Sequence, residues 1–336
     1  MQLFRYLLFP FSIIYFLITS LRNIFFDFNI FKSKSYSTST IVIGNLSVGG
    51  TGKTPMTELL IRLLSTNFKT SVLSRGYKRK STGFVLANNQ SNVEELGDEP
   101  YQYFTKFKNI NVAVDANRQR GIEQLQNYTN PEVILLDDAF QHRKVKAGFY
   151  ILLTKFNQLY TQDFLLPTGN LRESIKGAAR ANIIIVTKCP NDLSIEIQNK
   201  IIQNLKPLPH QKIFFATVIY DDFVYNTFDK IPVKSIINQE KILVAGIAYP
   251  KPFFDYLYSK NNTILEFPDH HNFSANEIIK LKELAKNKKI ITTEKDYMRL
   301  NNTLKIENLY YLPIKTKIIN NQTLFNEIIL NYVRKN

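Results

Sequence analysis

Lys53 and Thr54 close a glycine-rich run, Ser47-Val48-Gly49-Gly50-Thr51-Gly52-Lys53-Thr54, that follows the β-branched stretch at 41–43 and precedes an apolar-periodic stretch at 56–64. Strand, glycine loop, Lys-Thr and helix in that order form a phosphate-binding loop. Glycines let successive backbone N–H groups turn into one concavity, and the helix N-terminus adds partial positive charge. In such a loop Lys53 reaches the β- and γ-phosphates, and the Thr54 hydroxyl ligates Mg²⁺. Pro55 suits a first helical turn, where its missing N–H costs nothing. Ser47 stands where the usual pattern has its first glycine. Downstream, the apolar run 133–136 ends in Asp137-Asp138. A buried strand that ends in carboxylates supplies the second half of a nucleotide site, an acid that reaches Mg²⁺ at the strand's C-terminal edge.

Other polar groups fall at turns. Asp98 lies in Gly97-Asp98-Glu99-Pro100, and Arg118 ends Asp115-Ala116-Asn117-Arg118. Arg172-Glu173 closes the turn that begins at Leu166-Pro167-Thr168-Gly169, and His270-His271 follows Asp269. The adjacent histidines point apart and lack thiol partners, which argues against a zinc pair. Cys189 is the single cysteine, so no intramolecular disulfide forms.

Apolar runs at 41–43, 70–74, 110–114, 133–136, 150–154 and 182–187, alternating with helical spacers, predict a doubly wound, mostly parallel sheet. Ligands then bind at the carboxyl ends of its strands. A polar, turn-rich stretch at 220–240 marks a boundary. Beyond it a second α/β pattern has strands at 242–245, 263–267, 290–293 and 310–312. The expected fold class is α/β, a P-loop NTPase-type core at 32–220 with a smaller C-terminal α/β domain at 221–336 and an N-terminal membrane-associated helix at 1–31.

That helix comes from residues 6–21, which carry no charge and lie between Arg5 and Arg22. Spanning a bilayer takes about 20 apolar residues, slightly more than this run offers. Its aromatic content and flanking Arg5, Arg22, Lys32 and Lys34 predict a helix in the membrane interface rather than one in a protein core. The chain of 336 residues has a formal net charge of +15, which points to an anionic partner. Its basic residues are scattered without long runs, so a membrane surface or a phosphorylated substrate is expected and nucleic acid is not. No obligate protein partner is evident.

These motifs, together and in this order, resemble the tetraacyldisaccharide 4′-kinases, the lipid A 4′-kinase family. The resemblance runs from the N-terminal helix through the glycine loop, Ser74-Arg75-Gly76-Tyr77, Gly97-Asp98-Glu99-Pro100, Asp115-Ala116-Asn117-Arg118, Asp137-Asp138-Ala139-Phe140-Gln141-His142, the 166–173 turn and Asp269-His270-His271, to Asp296. Ala139 stands where the family usually has Gly, and Ser174 where it usually has Pro; neither change removes a chemical group. The resemblance implies ATP-dependent phosphorylation of the 4′-hydroxyl of a tetraacyldisaccharide 1-phosphate, a glycolipid, at the cytoplasmic face of the inner membrane, with ATP and Mg²⁺ as cofactors. It implies Asp98 as the base, oriented by His270, with His271 the other candidate. Lys53 and Mg²⁺, held by Thr54 and one of Asp137 or Asp138, would neutralise the phosphoryl group. Arg172 would contact phosphate and Glu173 the metal or nucleotide; the alternative for that pair is a local salt bridge. A P-loop GTPase or metallochaperone-type ATPase, suggested by Thr187-Lys188, and a non-enzymatic membrane-surface protein are the rival readings.

Overall fold

The strand that leads into the glycine loop, β1 (Ser39–Asn45), is buried at all seven positions. A strand with both faces covered reads as a continuous apolar run, and its neighbours do the same. In the computed structural model, which describes residues 5–269, 271–304 and 306–335, β1 sits mid-sheet. The chain continues through β2 (Thr70–Ser74), β3 (Val85–Leu86), β4 (Asn111–Val114), β5 (Val133–Asp137), β6 (Phe149–Lys155), β7 (Ile183–Thr187) and β8 (Lys212–Tyr220). It then enters a second sheet with β9 (Phe223–Tyr225), β10 (Lys230–Pro232), β11 (Lys241–Ala245), β12 (Thr263–Glu266), β13 (Lys289–Thr293) and β14 (Leu309–Leu312). Finally β15 (Ile314–Ile319) and the helix Gln322–Arg334 return to the first.

The first sheet has nine strands in the order β15-β8-β7-β6-β1-β5-β2-β4-β3, and the second six in the order β10-β9-β14-β13-β11-β12. In the first sheet β1 pairs in parallel with β5 on one side and β6 on the other. Only the outer pairs, β15 with β8 and β3 with β4, are antiparallel. The path from β1 runs first to one side and later to the other, so a crevice opens at the carboxyl ends of β1 and β5. Met56, Leu60, Ile61 and Leu64 of the helix Lys53–Leu64 pack against Ile41 and Ile43. The opposite face buries Leu46, Leu136 and Phe140.

The sequence places residues 314–336 with the smaller domain, whereas the structure lays β15 and the helix Gln322–Arg334 on the first sheet. Six residues of β15 pair with β8 from Phe215 to Tyr220, and Phe325, Ile329 and Val333 enter the core beside Ile41. The second β segment thus covers an edge that would otherwise expose unpaired N–H and C=O groups. The second sheet has its own two cores, one around Leu243 and Ile291 and one around Val244 and Leu300.

The N-terminal helix, Phe9–Asp27, spans 19 residues, and only Ser12 and Phe26 are buried. Its amphipathy is inverted. Ile14, Leu17, Ile18 and Leu21 face outward, while polar side chains face the protein. Ser12 donates to the Thr168 hydroxyl (2.8 Å) and Tyr15 to the Arg172 carbonyl (2.9 Å). Further along, Arg22 donates to the Gln141 carbonyl (2.8 Å) and Asn23 to Glu173 (2.9 Å). Positions 12, 15, 22 and 23 recur at helical spacing, so they form one stripe. Among the described residues it is the one helix long and apolar enough to cross a membrane.

Gly44 shows how little room the crevice floor leaves: a Cβ there would stand 2.6 Å from Cβ of Phe140. Overpacking of this kind costs about 1–3 kcal/mol. Gly44→Ala should therefore lower the midpoint of urea unfolding by that equivalent. A variant as stable as the parent would show that β1 and the 139–140 turn can part freely.

Candidate active site

Asn45, the last residue of β1, is fully buried and organises the loop that follows it. Its amide nitrogen donates to the Thr51 hydroxyl (2.8 Å), which ties the glycine turn to the strand. Thr187, at the end of β7, adds a second tie by donating to the Thr51 carbonyl (2.8 Å). Gly49 and Gly52 hold φ of +95° and +87°, left-handed values that disfavour side chains. From Gly52 the helix Lys53–Leu64 starts. The turn is braced from outside, where Val48 N–H donates to the Asn170 carbonyl (2.8 Å) and Arg172 N–H to the Leu46 carbonyl (2.7 Å).

Four groups meet at the mouth of this loop. Lys53 Nζ lies 3.5 Å from Asn45 Oδ1 and 3.6 Å from Asp138 Oδ1. Arg172 also reaches Asn45 Oδ1, donates to the Asn45 carbonyl (3.0 Å), and pairs with Asp138 Oδ1 at 3.0 Å. Burial alone would raise Asp138, but Lys53 and Arg172 hold it below the usual carboxylate range. Asp138 adopts φ +47°, which turns it away from the line of β5.

Asp137 behaves oppositely. Burial, then the charges of Asp138 and Glu99, push it up to about 6 against the opposing pull of Lys53 and Arg118. Its oxygens lie near three hydroxyls: Thr57 at 3.5 Å, Ser74 at 3.5 Å and Tyr103 at 3.3 Å. The Tyr103 hydroxyl also bonds the hydroxyls of Thr57 and Thr54, so Thr54 stands one side chain from Asp137. The sequence pattern treats the two aspartates as interchangeable. The structure separates them into a cation-paired Asp138 and an under-compensated Asp137.

The remaining expected residues divide. Arg172 and Lys53 come together. Glu173, expected at the metal or nucleotide, is 2% exposed, and its carboxylate is taken by Arg180 (2.7 Å), Gln141 (3.0 Å) and Asn23 (2.9 Å). It braces the loop from behind, through partners different from those of Arg172. Neither of the pair binds the other; each forms its own ion pair. Asp98 opens the helix Asp98–Lys106 and is gripped by Arg299 of the second sheet's helix Glu294–Leu304. Its neighbour Glu99 pairs with Lys295 at 2.7 Å. His270 lies outside the described residues. His271 directs Nε2 to Glu277, 3.0 Å away, and stacks on Phe267. Asn45, Tyr103, Gln141 and Arg299 carry much of the geometry, yet no residue type marks them. Only Asn45, at the strand end, and Gln141, within the 137–142 run, could have been read from sequence.

The chain matches the family described as tetraacyldisaccharide-1-P 4′-kinase over residues 4–334. It is 56% identical over 337 residues to a protein of Flavobacterium johnsoniae named tetraacyldisaccharide 4′-kinase, covering 100% of this chain and 99% of the relative. The protein of that name from Bacteroides thetaiotaomicron is 46% identical over 354 residues, covering 98% and 93%. A solved structure of LpxK from Aquifex aeolicus in complex with ATP superimposes with a TM-score of 0.80 at 29% identity, covering 98% of this chain and 99% of that one.

The carboxyl of Asp137 gives a pH prediction. Its folded value, about 6, lies above the 3.8 of an unfolded Asp. Its contribution to stability is therefore full below 3.8 and is lost as pH rises through 6. Asp137→Asn should remove that decline, leaving a metal-free variant at least as stable as the parent at pH 7.5 but inactive. Thermal melts from pH 4 to 7.5 would show it, and identical pH slopes in the two proteins would refute the assignment.

Proposed function

The chain belongs to the tetraacyldisaccharide-1-P 4′-kinase family, and from that premise we propose the reaction and the parts that perform it. It is an ATP-dependent kinase that transfers the γ-phosphate to the 4′-hydroxyl of a tetraacyldisaccharide 1-phosphate, giving lipid IVA in lipid A and lipopolysaccharide biosynthesis. The observation that carries the reading is the junction at the loop mouth, where Lys53 and Arg172 converge on Asp138 beside a glycine turn.

Phosphoryl transfer demands little covalent help from a protein and much charge compensation. Residues 47–54 cradle the phosphates with backbone N–H groups, and Lys53 stands over the β- and γ-phosphates. Arg172 turns from Asp138 toward the transferred group. Mg²⁺ fits the remaining donors, because Asp137 is left short of positive charge and Thr54 lies nearby. Among the described residues no three His, Cys, Asp or Glu side chains form a cage, as suits an ion held mainly by phosphates and water. Thr54 with Asp137 or Asp138 would hold it; the ion supplies charge neutralisation for the γ-phosphate when bound. Asp98 takes the proton of the 4′-hydroxyl, and His270 orients it.

A glycolipid acceptor has to be met at a membrane. The outward apolar face of Phe9–Asp27 and the net positive charge of the chain support a position at a membrane surface, and we assign it to the cytoplasmic face of the inner membrane.

Incubation with Mg-ATP and the disaccharide 1-phosphate should add the mass of one phosphate, and no product with that acceptor would refute the reaction. Lys53→Ala removes a cation from the transferring phosphates and should lower kcat about a thousandfold or more while the fold persists. Near-parental turnover would exclude Lys53 from the phosphate site. Leu17→Glu with Leu21→Glu introduces charges that cost about 2.5–3.5 kcal/mol each at a helix centre in lipid. The pair should move the protein from the membrane fraction toward the soluble one; unchanged partition would rule out insertion of this face.

A further inference from the structure

Asp98 is held from the side opposite its own sheet. Arg299 places Nε 3.2 Å from one carboxylate oxygen, and a terminal nitrogen donates to the other. The two side chains are 10% and 17% exposed. Two parallel N–H···O bonds between planar groups fix orientation as well as distance. Arg299 is itself fixed, because its other terminal nitrogen lies 3.4 Å from Asp296, which is fully buried. Asp296 in turn accepts from Gly246 N–H (2.8 Å) and the Thr293 hydroxyl (2.6 Å), at the ends of β11 and β13. That anchor has no slack. A Cβ on Gly246 would stand 3.1 Å from Asp296, 3.2 Å from the Pro268 carbonyl and 3.5 Å from Cβ of His271. The second sheet thus projects one rigid line, Gly246–Asp296–Arg299, onto the carboxylate.

We propose that Arg299 is a positioning residue for phosphoryl transfer, aiming the Asp98 carboxylate at the acceptor hydroxyl. The inference rests on Asp98 being the base. In the step it serves, the 4′-oxygen bonds to the γ-phosphorus as the bond from that phosphorus to the bridging oxygen breaks. ADP leaves with the electron pair, and the hydroxyl proton passes to Asp98. A guanidinium on a carboxylate weakens it as a base. Because the transition state is loose, with much bond cleavage before the proton must move, orientation outweighs basicity here. The charged groups around Asp98 are Arg299 and Asp296 from one helix, Lys295 from the same helix with Asp269 near it, and Glu99 beside Asp98. Lys295 pairs with Glu99 and also feels the Asp98 charge, while Arg299 is bonded to the Asp98 carboxylate directly.

The test compares the parent with Arg299→Gln, Arg299→Lys and Asp98→Asn, measuring kcat and KM for Mg-ATP and the disaccharide 1-phosphate from pH 5 to 9. Arg299→Gln should lower kcat about a hundredfold with KM for ATP unchanged. Its acidic limb should move up by about one unit or more, since removing a neighbouring cation raises a carboxylate's pKa by that order. Arg299→Lys keeps the charge but loses the fork, so its limb should stay while kcat falls about tenfold. A fall in kcat with an unmoved limb in Arg299→Gln, or a parental kcat in Arg299→Lys, would overturn the inference even with Asp98→Asn inactive. An active Asp98→Asn would instead overturn the assignment of the base, and the role of Arg299 with it.

Discussion

Two adjacent carboxylates at the end of a fully buried strand must be neutralised, and most of the site answers that need. Ionised carboxylates taken from water cost several kcal/mol each unless paired. Asp138 escapes by turning out of the strand line at φ +47° into the reach of Lys53 and Arg172. Asp137 continues the strand and meets hydroxyls only, with Arg118 donating to its carbonyl (3.4 Å) rather than its carboxylate. The same constraint fixes the loop, because Lys53 and Arg172 both lean on Asn45, which holds Thr51. A nucleotide entering this site meets cations already gathered at one point. Their shared charged partner, Asp138, is anionic, so that part of the exchange is between like acceptors.

The N-terminal helix belongs to the same construction. Its polar stripe binds the 165–173 segment at Ser12 and Tyr15, and Asn23 meets Glu173, one of whose further partners, Gln141, also donates to the Asn45 carbonyl (2.9 Å). The path from the helix to the strand end is therefore three side chains long. A helix that turns its polar stripe inward needs an apolar environment on the other side. The apolar outer face and the brace on the loop that carries Arg172 consequently share one element, and that loop is shaped partly by what holds the helix in place.

Much of this was legible in the sequence, for a physical reason. The glycine loop, Lys53 and the apolar runs of β1 and β5 are local features, set by backbone conformations that only certain residues tolerate. What escaped is non-local. Glu173 reads as a contact to the metal or nucleotide beside Arg172, yet its carboxylate is taken by Arg180, Gln141 and Asn23 behind the loop. Residues 314–319 read as part of the later α/β pattern, since nothing in their own alternation names β8 as the partner. Arg299 carries no motif at all; its role depends on a contact 201 positions away in sequence. Charge pairs of this kind leave no periodicity, so only the assembled fold displays them.

The seam between the sheets is kept in register by one more cluster. Lys106, on the helix that begins at Asp98, lies 2.8 Å from Glu58 and 2.6 Å from Glu294. Glu58 belongs to the helix that begins at Lys53, and Glu294 to the helix that bears Arg299. Gln102 donates to the second oxygen of Glu58 (2.8 Å), and Arg62 closes the rim at 2.8 Å. Burial, then Glu58, raises Glu294 to about 7, with Lys106 opposing, so the cluster contributes little net stability. Its effect is on movement. Drawing any one helix away leaves a buried charge alone, which costs about 3–5 kcal/mol, whereas an apolar patch of equal area could slide at small cost. The helices that begin at Lys53 and at Asp98 and the helix that bears Arg299 are thus pinned at a common point.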